Sequence, residues 1–261
     1  MEHFIHVVWL AIIQGITEFL PVSSSGHLVL SKHFLGITPS KGVLLEIVLN
    51  TGTLFAILVF YWKRLFQIIQ GLFHGNREAW RFSALILLGC LPAILIGVLF
   101  KKELEGAFSN PRFVSCTLMG TGLFLIASHF AGKGTRSVGW ISGFLIGILQ
   151  AVALLPGVSR SGSTIGMSRF LKIEPKQAAE YSFFMLIPLS VGACLLAIKD
   201  VLENGNHSGF NPIDLSVGFI VSAVVGYFSL KWLIALLQRG QFWYFGIYCL
   251  CIGGLTFFLL K

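Results

Sequence analysis

Three stretches of this chain contain no Asp, Glu, Lys or Arg: residues 82–100, 113–132 and 240–260. Each runs about 20 residues, enough for a helix to cover the ~30 Å hydrocarbon core of a bilayer. Residues 43–62 form a fourth such run, broken only by Glu46. Residues 177–198 form a fifth, broken by Glu180, and 214–237 a sixth with Lys231 near its end. Charged residues make up 11% of the 261 positions, against about 25% in a soluble domain. A chain so poor in charge cannot clothe a water-soluble globule, and its hydrophobicity excludes disorder. It reads as one all-α polytopic membrane domain, 1–261, with six full crossings.

The other charges fit that reading. The net charge of +8 comes from basic residues scattered between apolar runs, which suits membrane topology and anionic headgroups rather than nucleic acid. The five cysteines all lie in apolar runs and form no CxxC pair, so they read as small buried hydrophobes.

Two segments start as spans and then break. Residues 4–31 meet Pro21-Val22-Ser23-Ser24-Ser25-Gly26-His27, and residues 138–171 meet Pro156-Gly157-Val158-Ser159-Arg160-Ser161-Gly162-Ser163-Thr164. Proline followed by small hydroxylated residues frees backbone groups, which at membrane depth must face protein or a water-filled cavity. Both are expected to be re-entrant hairpins. The first has no Lys or Arg before it and no small-residue cleavage site, so it reads as retained structure rather than a leader.

The loops orient the spans. With the N-terminus outside, Lys63, Arg64, Arg77, Arg81, Lys133, Arg136, Lys172, Lys176 and Arg239 fall inside with Glu78 and Glu174. Lys32, Lys41, Lys101, Lys102, Arg112, Lys199 and Lys261 fall outside with six acids. That modest positive-inside bias puts both termini outside.

The two breaks are also related to each other. A shift of 136 positions lays Gln14 on Gln150, Val22 on Val158, Ser23 on Ser159, Ser25 on Ser161 and Gly26 on Gly162; Glu46 and Glu180 follow at a shift of 134. Each half, about 1–132 and 137–261, holds one hairpin and three spans. Three crossings invert the second half, so the expected fold is two inverted-topology repeats with the polar breaks meeting near the midplane. The same shift sets Ser24 opposite Arg160.

Those residues suggest chemistry, each with a plainer reading beside it. Gln14 and Glu18 share a helix face. Glu18 in an apolar half-helix is either functional or a carboxylate near the water interface. Ser23, Ser24, Ser25 and Gly26 offer hydroxyls and free N–H groups suited to a phosphate, or simply cap the second half-helix. His27 lies within reach of Ser24 as an acid or base, or is a satisfied core histidine. Arg160 needs an anionic partner at such depth, either Glu18 or a bound phosphate. Glu46 and Glu180 either brace the hairpins or react. Arg169 reads as a snorkelling lipid contact.

These residues carry a resemblance. QGITEFLPVSSSGH (14–27) and PGVSRSGST (156–164) resemble the two signature motifs of the undecaprenyl pyrophosphate phosphatase family, the bacitracin-resistance type of membrane phosphatase. The family patterns are [E/Q]xxxE followed by PxSSxGH, and PGxSRSxxT. The likeness runs along essentially the whole chain, including LLGCLPAILIGVLF and EYSFFMLIPLSVGA. Gln14 stands where many members carry Glu, which weakens any scheme needing two carboxylates there.

The resemblance implies a bacterial inner-membrane enzyme, open to the outer face, that removes the terminal phosphate of undecaprenyl diphosphate. That recycles the lipid carrier for peptidoglycan and confers bacitracin tolerance. It implies Ser24 as nucleophile, His27 as acid/base, Glu18 as the essential glutamate and Arg160 as the phosphate clamp. Gln14, Ser23, Ser25, Gly26, Ser159, Ser161 and Thr164 are the expected supporting groups. A divalent cation, Mg²⁺ or Ca²⁺, would ride on the diphosphate, since no dedicated metal cage is visible. Undecaprenyl diphosphate and bilayer lipids are the expected partners, with a homodimer left open. A lipid-carrier flippase or transporter is the main rival, because inverted repeats of broken helices are common among carriers. An intramembrane serine protease would have no use for Arg160.

Overall fold

A computed structural model describes residues 2–36, 43–132, 134–204 and 211–260. Of the basic residues used for orientation, Lys41, Lys133 and Lys261 lie outside the described residues. The described chain is helical: α1 (Glu2–Thr17), α2 (Ser24–Phe34), α3 (Val43–Phe60), α4 (Trp62–Phe73), α5 (Arg77–Leu99), α6 (Lys101–Phe108), α7 (Pro111–His129), α8 (Trp140–Val152), α9 (Arg160–Phe170), α10 (Pro175–Asn204), α11 (Pro212–Gln238) and α12 (Tyr244–Leu259). The one extended pairing among the described residues joins Arg136 to Ile173.

Five segments are long and apolar enough to cross a bilayer: 77–99, 111–129, 175–199, 212–238 and 241–259. A sixth is a bent pair, α3 and α4, which meet at 73°. The sequence reading of 63–81 as a loop is corrected here, because most of it is α4. Its apolar residues form two stripes: Leu65, Ile68 and Leu72 pack inward, while Trp62, Phe66, Ile69 and Phe73 stay exposed. The loop 101–112 likewise contains α6.

The apolar parts of α1 (Phe4–Thr17) and α8 (Trp140–Val152) are shorter. At 1.5 Å per residue each spans about 20 Å, too little to cross a bilayer alone. Each is followed by a turn and a second short helix, α2 or α9. The new helix starts are capped alike: Ser23 Oγ accepts from the Gly26 N–H at 3.2 Å, and Ser159 Oγ from the Gly162 N–H at 3.0 Å. Ser23 adopts φ +67°, a conformation a non-glycine residue holds only under constraint.

The second break is anchored to α7, where Thr117 Oγ1 donates to the Pro156 carbonyl at 2.5 Å and Thr121 Oγ1 to that of Gly157 at 2.9 Å. These bonds satisfy backbone groups that the break would otherwise leave bare in an apolar setting. Gly157 has φ +88°, and a Cβ there would lie 2.0 Å from Thr117 Oγ1. Both conformation and space demand glycine.

The largest buried cluster surrounds the breaks and joins Phe19, Val22, Val114, Leu118, Ile165, Phe183 and Leu230. Helices α7 and α12 cross at Gly122 and Gly246, where a Cβ on either would lie 2.7 Å from the other's carbonyl oxygen. Such small-residue crossings let membrane helices approach closely.

Candidate active site

The centre of the site is the Glu18 carboxylate. It sits one residue beyond the end of α1, in the turn rather than inside the half-helix that the sequence suggested. Its Oε2 accepts from the Ser24 hydroxyl at 2.6 Å and from Gln14 Nε2 at 3.1 Å. Its Oε1 accepts from Arg160 Nη2 at 3.0 Å.

Arg160 enters from the opposite half of the chain, at the first residue of α9. The Arg160–Glu18 pair is largely buried, with side chains 14% and 13% exposed. The guanidinium also lies over the Phe183 ring, 5.7 Å from its centroid, and Nη1 reaches the Ser182 carbonyl at 3.5 Å. A charge so enclosed needs these partners.

Gln14, Glu18, Ser23, Ser24, Ser25, Ser159 and Arg160 line one cavity of about 500 Å³, and Glu46 lies on its wall. Leu28, Val29, Ile47, Leu154, Leu186 and Leu189 give the cavity an apolar side. Two helix starts and one guanidinium therefore bring polar groups to one side of a space whose opposite side is largely apolar. That arrangement suits an anionic head with an apolar tail.

The other expected site residues support this wall from behind. Gly26 packs on Gly157, where a Cβ would meet the Gly157 Cα at 2.9 Å. Ser161 Oγ donates to the Leu20 carbonyl at 3.2 Å. Thr164 Oγ1 donates to the Arg160 carbonyl at 2.9 Å and shares a 2.6 Å bond with Ser182 Oγ. Glu46 pairs with Lys32 and so ties α3 to α2. Glu180 accepts from Arg64 Nε at 2.7 Å and ties α10 to α4. Arg169 is buried and donates from Nε to the Ser128 carbonyl at 3.1 Å, not to a lipid surface.

His27 takes the plainer of its two readings, a histidine with both ring nitrogens satisfied. Its Nδ1 lies 2.8 Å from the Ser23 carbonyl and its Nε2 2.9 Å from the Tyr248 hydroxyl. A carbonyl only accepts, so Nδ1 carries the proton and, in the neutral ring, Nε2 accepts from Tyr248. The ring also stacks on Tyr248, at 5.6 Å between centroids. The group on the Ser24 hydroxyl is Glu18, not His27.

The sequence reading missed Asn50, Ser182, Phe183, Tyr248, Thr117 and Thr121. Only the two threonines carried a signal, as hydroxyls four apart on one face of an apolar span; the rest are ordinary residues of apolar runs.

Fold and site together define a multi-pass helical membrane protein whose broken helices enclose a serine, carboxylate and guanidinium centre. The chain belongs to the family of the bacitracin resistance protein BacA, whose model matches residues 7–255. It is similar to an undecaprenyl-diphosphatase of Rhodopirellula baltica, 39% identical over 99% of both chains. It is also similar to an undecaprenyl-diphosphatase of Christiangramia forsetii, 39% identical over 94% of this chain and 93% of that one. A third, from Salinibacter ruber, is 34% identical over 96% and 97%. The family expected from the two motifs is the family found.

Proposed function

We propose that this protein hydrolyses undecaprenyl diphosphate to undecaprenyl phosphate and inorganic phosphate, which returns the lipid carrier to cell-envelope synthesis and confers bacitracin resistance. The observation that carries this reading is the Glu18 carboxylate held between the Ser24 hydroxyl and Arg160. A carboxylate 2.6 Å from a serine hydroxyl is placed to take its proton. A guanidinium beside them is placed to hold phosphate oxygens.

In the proposed mechanism the diphosphate enters the cavity with its tail along the apolar side. Ser24 Oγ attacks the distal phosphorus while Glu18 accepts its proton. The bond from phosphorus to the bridging oxygen breaks, and the prenyl monophosphate leaves with the proton that Glu18 returns to that oxygen. Water then attacks the phosphoserine while Glu18, again a carboxylate, takes its proton and passes it to Ser24 Oγ as phosphate leaves. Arg160 and the free N–H groups at the starts of α2 and α9 balance the charge that develops on the equatorial oxygens. His27, bonded to the Ser23 carbonyl and Tyr248, holds the strained start of α2 that presents Ser24.

A divalent cation fits only as a passenger. Among the described residues no three His, Cys, Asp or Glu side chains cluster as a metal site, and both acids on the cavity wall already have cationic partners. Mg²⁺ or Ca²⁺ would be held by the diphosphate oxygens rather than by the protein.

The two halves are read as inverted repeats built around re-entrant hairpins. Helix α1 packs on α2 and α11 as α8 packs on α9 and α5, and α3 packs on α11 as α10 packs on α5. Basic residues at Lys63, Arg77, Arg81, Arg136, Lys172 and Arg239 favour the cytoplasmic face for the segments that carry them. The cavity then opens outward and both termini are outside.

The internal symmetry favours one second reading, a carrier that moves the lipid. Phosphate release by the purified protein from a long-chain prenyl diphosphate, compared with Ser24→Ala and Arg160→Ala, separates the two. The hydrolase reading expects release by the wild type and near-complete loss in both variants. Lipid movement without release would favour the carrier.

A further inference from the structure

We propose that the side-chain amide of Asn50 is a substrate-binding group that donates an N–H to a phosphate oxygen of the diphosphate, and that Gln14 is the positioning residue that aims it. This rests on the hydrolase reading and adds a residue outside both signature motifs.

The direction of the Asn50 amide follows from a short chain of bonds. Glu18 is paired to Arg160, and its carboxylate oxygens only accept. The Gln14 group facing Glu18 must therefore be the nitrogen, as the 3.1 Å contact has it. The same Nε2 lies 2.6 Å from Asn50 Oδ1, so the Asn50 oxygen is turned toward Gln14 and its Nδ2 away. Gln14 is fully buried, and its own Oε1 has no partner. Turning the Gln14 amide over would set that oxygen against the Glu18 carboxylate, so the nitrogen keeps both contacts although a buried acceptor goes without.

Asn50 lines the same cavity as Ser24 and Arg160 and is exposed there. Its Nδ2 meets no acceptor among the described residues. An uncharged donor held at a fixed angle beside Glu18 can recognise phosphate oxygens without adding another cation to a site that must release phosphate. The Glu18 carboxylate thus reaches the cavity wall twice, directly through Ser24 and indirectly through the Gln14–Asn50 amides.

The test compares Asn50→Asp and Asn50→Ala with the wild type in steady-state phosphate release from a prenyl diphosphate, using the full chain in detergent. Asp keeps an acceptor for Gln14 but replaces the donor with a like-charged oxygen; Ala removes the donor without adding charge. The expected result is a KM raised about tenfold or more for Asn50→Asp and severalfold for Asn50→Ala, with kcat nearly unchanged. Gln14→Met, which cannot bind Asn50, raises KM as well, and its effect is less than additive with Asn50→Ala. A structural role would leave the balance between KM and kcat unmoved. Wild-type KM in both Asn50 variants overturns the assignment while the hydrolase reading stands. No phosphate release from the wild type overturns that reading, and the donor role with it.

Discussion

Glu18 and Arg160 stand 142 residues apart in the chain and pair at 3.0 Å across the meeting of two broken helices. The pair sets the poles of the site, with an acceptor beside Ser24 and a donor facing the cavity. Neither lies on a full-length span, so each depends on the turn that carries it.

The first prediction concerns that pair. Arg160→Lys keeps the charge but loses the planar fork that can hold Glu18 and a phosphate together. Activity should fall by about two orders of magnitude or more, nearly as far as in Arg160→Ala. Glu18→Gln keeps the shape but cannot take the Ser24 proton, and should lose activity to a similar degree while the protein still folds. Phosphate-release rates and the elution profile of the purified variants check both statements.

A second prediction separates His27 as a brace from His27 as an acid or base. If its work is to bind Tyr248 and the Ser23 carbonyl, Tyr248→Phe should weaken the fold by about 1 kcal/mol and lower activity together with His27→Asn. If His27 moves the proton itself, His27→Asn abolishes turnover while Tyr248→Phe barely changes it. The activity ratio of the two variants, read beside their melting temperatures, decides between these outcomes.

A third prediction is structural. Gly157→Ala would place a methyl 2.0 Å from Thr117 Oγ1 at φ +88°. It should destabilise the protein by about 2–4 kcal/mol, with a lowered thermal unfolding midpoint in detergent. Thr117→Val, which leaves the Pro156 carbonyl without its donor, should act in the same direction by about 1–3 kcal/mol.

Glu46 supplies a fourth prediction. It lines the cavity, but its carboxylate is held by Lys32. Glu46→Gln should therefore retain most of the activity, in contrast to Glu18→Gln. A double-mutant cycle with Lys32→Met should give a coupling of about 0.5–1 kcal/mol, since the Glu46 side chain is 40% exposed. Loss of turnover in Glu46→Gln would move Glu46 from the wall into the chemistry.

Much of this was readable before the structure. The charge-free runs marked the spans, because hydrophobicity over 20 residues has no competing explanation. The shift of 136 positions placed Ser24 against Arg160, and the site brings both to Glu18. What escaped is equally physical. Helix α4 reads as a loop because Lys63, Arg64, Gln67 and Gln70 lower its hydropathy, although Trp62, Phe66, Ile69 and Phe73 repeat at helical spacing. Tyr248 lies 221 residues from His27 inside an apolar run, where no local pattern sets it apart. Asn50 is a single amide in a span, and only the buried Gln14 beside it shows which way it faces.

The central claim is that Ser24, deprotonated by Glu18, attacks the distal phosphorus. The direct measurement is to quench turnover of a prenyl diphosphate labelled in its distal phosphate and locate the label by mass spectrometry. The account predicts label on the peptide bearing Ser24, appearing no later than free phosphate, and absent from Ser24→Ala and Glu18→Gln. Full turnover with label only in free phosphate, at every quench time, would contradict it and leave water as the nucleophile.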